Sequence, residues 1–130
     1  MFEWIESSVS SLIVTLTSSS ITLNAAAASY FQEVRYCMIG LDKDSYTLGI
    51  KPIKKSDVER KIVSISHLHK ISNGKGYSRI TSKTISDQIA LLMNQELINE
   101  KLNAIYDHDQ AMLLIDLRQL KKEGDVDECN

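Results

Sequence analysis

Short apolar runs, separated by polar turns, dominate the first half of the chain. Residues 12–17 form an apolar, β-branched run, residues 18–20 are typical of a turn, and residues 21–23 form a second short run. Asn24 comes next, and its side-chain oxygen can accept hydrogen bonds from the free amides of a first helical turn. Alanine is the strongest helix former, so the four alanines that follow favour a helix over residues 25–30. The pattern predicts two strands followed by a helix.

A second pair of strands is predicted after this helix. Cys37, Ile39 and Leu41 alternate with a period of two, which places them on one face of a strand. Residues 42–45 include two aspartates and a serine, whose side chains bond to nearby backbone amides in turns. The returning strand covers residues 46–50. The first half therefore has the order β-β-α-β-β.

The second half of the chain repeats this order of elements. Its helix is longer, because Ile85, Ile89 and Met93 share one helical face, and Thr84 with Asp87 forms a weak capping box at its start. In order, the predicted elements are a strand over residues 62–71, a loop over 72–76, a short strand over 77–81, the helix from Thr84, and a hairpin over 102–106 and 111–117.

The internal similarity is clearest between the two predicted hairpins. The segment Leu41–Ile50 runs parallel to the segment Tyr106–Ile115, with identical residues at several matching positions. They include Asp42 with Asp107, Asp44 with Asp109, and Ile50 with Ile115. A repeat of this length indicates two similar units that share one core. We expect a single domain over residues 1–130, with internal repeats at about 9–53 and 62–120 and an acidic tail at 121–130.

The composition is that of a compact globular chain. One proline, five glycines and 43% hydrophobic residues among 130 exclude disordered and collagenous proteins, and two cysteines exclude a disulfide scaffold. The longest uncharged run, residues 7–32, is half Ser, Thr, Asn or Gln, and Glu3 and Glu6 precede it. Neither a membrane span nor a leader has that pattern. We expect a cytoplasmic protein with no disulfide between Cys37 and Cys129.

The order of elements and the acidic hairpins resemble the AbrB/MraZ-like swapped-hairpin β-barrels, a bacterial-type family of DNA-binding regulators. The likeness is closer over residues 14–53, which end in an Ile-Lys-Pro-like segment, than over residues 64–120. The resemblance implies an α+β protein, a small β-barrel built from two tandem β-β-α-β-β repeats with the helices packed outside. The family's Gly-Arg motif before the helix is retained only at Arg79, so the resemblance implies DNA binding at that residue alone.

Positive charge is concentrated in the middle of the chain. The formal net charge is −2, yet residues 51–83 hold nine Lys and Arg against two acidic residues, a net of +7. Neutralising nucleic-acid phosphates requires such a cluster of cations. A charged, exposed linker between the repeats would give the same pattern. If nucleic acid binds, the candidate contacts are Lys70, Lys75, Arg79 and Lys83.

A weak indication of a metal site lies on the strand predicted over residues 62–71. His67 and His69 flank one residue, so both rings project from one face of a strand and could chelate a metal ion. Further ligands could come from Asp107, His108 and Asp109. An outward strand face produces His-x-His just as readily, and Asp-x-Asp is ordinary turn chemistry. We therefore expect no metal and no cofactor.

Three function classes remain open from the sequence. The first is a transcription-regulator-like module that binds double-stranded DNA through the basic middle segment. The second is a structural or protein-interaction module of the same fold that has lost DNA binding, and the remote third is a metal-dependent enzyme. No catalytic motif is evident, so we expect no enzyme, and either a monomer or a homodimer.

Trp4 and Ile5 are expected to fold the N-terminus onto the barrel, whereas an exposed Trp4 would indicate a protein partner.

Overall fold

The computed structural model describes residues 11–54 and 67–120. Several predictions from the sequence concern residues outside these two ranges. They are the N-terminal contact of Trp4 and Ile5, the start of the strand predicted from residue 62, the part of the basic segment between residues 55 and 66, and the tail with Cys129.

The described residues are mostly β structure. The strands are β1 (Leu12–Leu16), β2 (Ser20–Asn24), β3 (Tyr36–Asp42), β4 (Thr47–Ile53), β5 (Leu68–Lys70), β6 (Ser72–Gly74), β7 (Tyr77–Thr81), β8 (Glu100–Asp107) and β9 (Met112–Asp116). The helices are α1 (Ala25–Ala28), which continues into a 3-10 turn (Ser29–Phe31), and α2 (Lys83–Met93). No helix within the described ranges is both long and apolar enough to cross a bilayer.

The nine strands form one sheet that closes almost completely on itself. Its order is β5-β3-β4-β9-β8-β1-β2-β7-β6, and each neighbouring pair is antiparallel. The two outermost strands, β5 and β6, are consecutive parts of one chain segment on either side of Ile71. The Ile71 amide donates to the Arg35 carbonyl oxygen at 2.9 Å. Because this segment pairs with β3 at one end and β7 at the other, the sheet curls into a nearly closed barrel.

The core fills the inside of the barrel, and most strands contribute to it by alternation. In β2 and β7, for example, Ile21 and Ile80 point inward and lie opposite each other in register. Both are almost fully buried. Other buried apolar residues of the strands include Val14, Leu16, Leu23, Cys37, Leu48, Ile50, Leu102, Leu113 and Ile115. The period-two pattern of the sequence thus becomes an apolar interior and a polar exterior.

The first helix starts as the sequence predicts, and the second does not. Asn24 Oδ1 accepts from the Ala27 amide at 3.0 Å, which caps α1. The capping box predicted at Thr84 is wrong, because the cap of α2 is Ser82, whose hydroxyl accepts from the Ile85 amide at 3.4 Å. The helix therefore begins at Lys83, and its cap lies two residues before the predicted cap Thr84.

The loop predicted over residues 72–76 is also wrong. Ser72–Gly74 pairs with β7, and only Lys75 and Gly76 form the turn, with Gly76 at a φ of 77°. Asn73, which has turn-forming character in the sequence, instead donates to the Val34 carbonyl oxygen at 3.1 Å and accepts from the buried Ser78 hydroxyl. Tertiary hydrogen bonds therefore outweigh the local preference of this segment for a loop.

Candidate nucleic-acid interface

Arg79 projects from the outer side of the barrel. In β7, Ser78 and Ile80 are buried, so Tyr77, Arg79 and Thr81 point outward by alternation. The guanidinium carbon of Arg79 lies 5.5 Å from the centroid of the Tyr77 ring, within the range of a cation–π contact. This contact holds the guanidinium along the sheet surface, and the side chain stays exposed.

A row of outward side chains runs from Arg79 across five strands. Ser72 of β6 and Thr22 of β2 lie directly opposite Arg79 on either side. Thr15 of β1 lies opposite Thr22, and Lys101 of β8 lies opposite Thr15. With neighbouring strands about 4.8 Å apart, five strands extend over about 19 Å. All five positions of this row carry a hydroxyl or a cation, and none carries a carboxylate.

The adjacent row continues the same chemistry. Ser20 of β2 and Thr81 of β7 lie opposite each other and also point outward. We call the two rows together the hydroxyl–cation face, which consists of Thr15, Ser20, Thr22, Ser72, Arg79, Thr81 and Lys101. Hydroxyls and cations are the side-chain groups that contact phosphate oxygens in protein–DNA complexes. The face can therefore bind the backbone of a nucleic acid.

The four cations predicted from the sequence occupy different positions relative to this face. Lys70 lies on the outer side of β5, two residues before Ser72, and Lys75 is in the turn between β6 and β7. Both are exposed. Lys83 is already paired with Asp87, whose carboxylate oxygen lies 3.0 Å from the ammonium nitrogen. Lys70 and Lys75 are therefore close along the chain to the β6–β7 hairpin that carries Arg79, whereas Lys83 forms an exposed ion pair with Asp87.

Lys101 is the cation that sequence reasoning missed. It lies outside the basic segment, and its place beside Thr15 depends on the pairing of β8 with β1. No local signal in the sequence indicates this pairing, since the two strands belong to opposite ends of the chain. Among residues 11–54 and 67–120, neither Arg79 nor Lys101 forms an ion pair.

The predicted metal ligands are not brought together. His67 is exposed, whereas His69 is half-buried on β5 opposite Cys37, and burial lowers its pKa. His108 instead packs edge-on against the Tyr106 ring, with the ring centroids 5.0 Å apart. Among residues 11–54 and 67–120, no group of three or more His, Cys, Asp or Glu is arranged to hold a metal ion.

Cys37 also lacks the environment of a reactive thiol. Its side chain is fully buried in the core and free of any disulfide, and burial raises the pKa of its thiol to about 12. A thiolate is the reactive form of cysteine, so this residue stays protonated and inert at neutral pH.

Comparison with known proteins adds no relative to these observations, because no family model, no curated protein and no solved structure matches the chain.

Proposed function

We propose that the chain is a single-chain barrel of the AbrB/MraZ-like swapped-hairpin type and that it binds double-stranded DNA through the hydroxyl–cation face. The observation that carries the proposal is the outer row from Ser72 to Lys101, which combines two cations and three hydroxyls with no carboxylate.

Strand pairing supports the swapped-hairpin assignment. The hairpin β1–β2 of the first half lies between β8 and β7, which both belong to the second half. The consecutive strands β5, β6 and β7 of the second half lie in turn between two strands of the first half, since β5 pairs with β3 and β7 pairs with β2. Each half therefore inserts its leading hairpin between strands of the other half, which is the exchange that defines a swapped-hairpin barrel.

The registers support a tandem repeat as its origin. Across β2 and β7, Ile21 lies opposite Ile80, the residue that occupies the same place in the second half. Across β4 and β9, Leu48 lies opposite Ile115, while Ile50 lies opposite Leu113. Pairs of this kind are expected where a twofold axis relates two copies of one unit. The two tandem β-β-α-β-β repeats would together form one α+β domain.

DNA binding through this face relies on the phosphate backbone. Hydroxyls and lysines position a protein on the duplex without reading its sequence. In this proposal Arg79 contacts a guanine edge, since arginine can donate two parallel hydrogen bonds to that base. The proposed complex is therefore strongly salt-dependent, and its sequence preference depends chiefly on Arg79.

Fluorescence anisotropy of a labelled duplex at several salt concentrations tests the proposal. Binding through this face predicts that the logarithm of the affinity falls linearly with the logarithm of salt, by about 0.9 per phosphate neutralised. Arg79→Ala and Lys101→Ala should each weaken binding and reduce the slope by about 0.9. Lys43→Ala is the matched control, because this exposed lysine lies in the turn between β3 and β4, away from the face. No binding of the wild-type chain at low salt would refute the proposal.

A second candidate function is a protein-interaction module of the same fold. Three large apolar side chains, Leu91, Ile98 and Ile105, are 83%, 71% and 66% exposed, more than any other large apolar residues in the described ranges. Exposed apolar side chains of this kind are typical of contact surfaces when they form a continuous patch. The outcome that favours this candidate has two parts. The duplex does not bind at low salt, and the wild-type chain has a solution mass above that of a monomer, which Leu91→Ser reduces to the monomer mass.

A further inference from the structure

An apolar groove lies on the outer side of β8 and β9, next to the end of the hydroxyl–cation face at Lys101. Ile105 and Leu114 lie opposite each other in register and point outward. Together with Thr47, Asn103, Ala104, Asp116 and Gln119 they line a cavity of about 390 Å³ whose surface is mainly apolar. Ile105 is 66% exposed, which makes it one of the most exposed large apolar side chains of the described residues.

The chain enters the described structure beside this groove. The ladder between β1 and β8 ends where Leu12 lies opposite Ala104, while β8 itself continues to Asp107. The same antiparallel register places Ser11 opposite Ile105. The ten residues before Ser11 are therefore connected to the barrel at the edge of the groove.

The sequence of these ten residues fits an apolar groove. Phe2, Trp4, Ile5 and Val9 supply four large apolar side chains, and the charged side chains are two glutamates. Trp4 lies seven residues before Ser11, which an extended chain can span over about 23 Å. Ile105 and Leu114 are on neighbouring strands about 4.8 Å apart, so the indole is well within reach of both.

The C-terminal segment also begins near the groove, but its composition does not fit. Gln119 lines the groove, and residues 121–130 follow Leu120 directly. Six of these ten residues are charged, and Val126 is their only large aliphatic side chain. Burying them on Ile105 and Leu114 would remove charges from water without apolar contacts to offset the cost.

We infer that residues 2–9 of the same chain dock in the groove between Ile105 and Leu114, with Trp4 as the main contact. This inference is independent of DNA binding, since the groove shares no residue with the hydroxyl–cation face. It specifies where on the barrel the N-terminal contact expected from Trp4 and Ile5 is made.

Tryptophan fluorescence of the full chain tests this inference, because Trp4 is the single tryptophan. In the wild-type monomer we expect blue-shifted emission and weak quenching by acrylamide. Ile105→Ser should shift the emission to the red and raise the quenching constant several-fold. Leu91→Ser is the matched control, since it removes an even more exposed apolar side chain, on α2, and should leave both quantities unchanged.

Three results would overturn the inference. One is wild-type emission and quenching equal to those of a free indole in water. Another is an unchanged spectrum in Ile105→Ser, with far-ultraviolet circular dichroism confirming that the variant is folded. The third is shielding of Trp4 that disappears on dilution together with a fall in solution mass, since the groove would then bind a second copy of the chain. Nuclear Overhauser contacts between the indole ring and the Ile105 methyl groups in the monomer provide a direct second measurement.

Discussion

The hairpin that joins β3 to β4 and the hairpin that joins β8 to β9 are built by the same contacts. In each, the carboxylate of the first aspartate accepts from the amides two and three residues later. The distances are 3.0 and 3.2 Å at Asp42 and 2.9 and 3.2 Å at Asp107. Each hairpin also ends on a residue with positive φ, 55° at Tyr46 and 53° at Ala111. A short local sequence therefore produces the same turn twice.

The two helix starts differ although they occupy matching places. Asn24 caps α1 and also holds β1, because its side chain accepts from the Ile13 amide at 3.2 Å and donates to the Ser11 carbonyl oxygen at 2.8 Å. Ser82 caps α2 through a single hydrogen bond. The helices differ as well, with four residues in α1 and eleven in α2. The first half thus uses one side chain for both a cap and a tertiary contact, whereas the second half separates these roles.

The largest expected effect concerns the core that both halves share. Ile21→Ala and Ile80→Ala each leave a cavity at the centre of the β2–β7 pair, and each should lower the free energy of unfolding by about 2–5 kcal/mol. Because the two side chains face each other, their effects should not be additive in the double variant. Urea denaturation measures all three. Two separate unfolding transitions would show that the halves do not share one core.

A smaller effect separates the two helix starts. Asn24→Ala removes the cap and two further hydrogen bonds, so we expect a loss of about 1–2 kcal/mol. Ser82→Ala removes one long hydrogen bond and should cost about 0.5–1 kcal/mol. Thermal unfolding monitored by circular dichroism measures both. Equal losses would contradict the double role of Asn24.

The two hairpin turns can be tested at the residues that have a positive φ. A left-handed conformation costs a non-glycine residue about 1–2 kcal/mol, and glycine adopts it freely. Glycine also loses more conformational entropy on folding, which offsets part of this gain, so Ala111→Gly should stabilise the protein by about 0.5–1 kcal/mol. Asp109→Gly, in the same turn but without positive φ, is the matched control and should not stabilise. A loss of stability in Ala111→Gly would argue against the turn geometry.

The smallest expected effect is on the acid side of the pH range. Hydrogen bonds from the Ser45 and Asp44 amides lower the pKa of Asp42 below its ordinary value. The ionised carboxylate therefore stabilises the fold above the pKa of the unfolded chain, and this contribution is lost as the pH falls through the lower, folded pKa. Carboxyl-carbon NMR titration should give a depressed midpoint for Asp42. Asp42→Asn should make stability less sensitive to acid, and an ordinary midpoint for Asp42 would contradict the turn contacts.

The sequence predicted what local chemistry decides. The acidic turns, the Asn24 cap and the alternation of Cys37, Ile39 and Leu41 all depend on residues within a few positions of one another, and the structure contains them. The prediction of a small barrel is confirmed at the level of a mostly-β, nearly closed nine-stranded sheet.

Contacts between distant segments were not predictable in this way. The loop expected over residues 72–76 became β6 because β7 was available to pair with it. Lys101 joined the outer row because β8 pairs with β1, and Lys83 lies in an ion pair with Asp87 on the surface of α2. Each outcome depends on which strand or charged residue lies next to the segment in the fold. The hydrophobic periodicity and the local propensity of a segment do not contain that information.

The central claim, that DNA binds on the hydroxyl–cation face, is tested most directly by following backbone amide NMR signals during addition of a short duplex at low salt. The account predicts salt-reversible shifts that concentrate at Thr15, Thr22, Ser72, Arg79 and Lys101, with the signals of Asp42–Thr47 and Asp107–Met112 unchanged. Shifts confined to those hairpins, or no shifts at all at low salt, would contradict it.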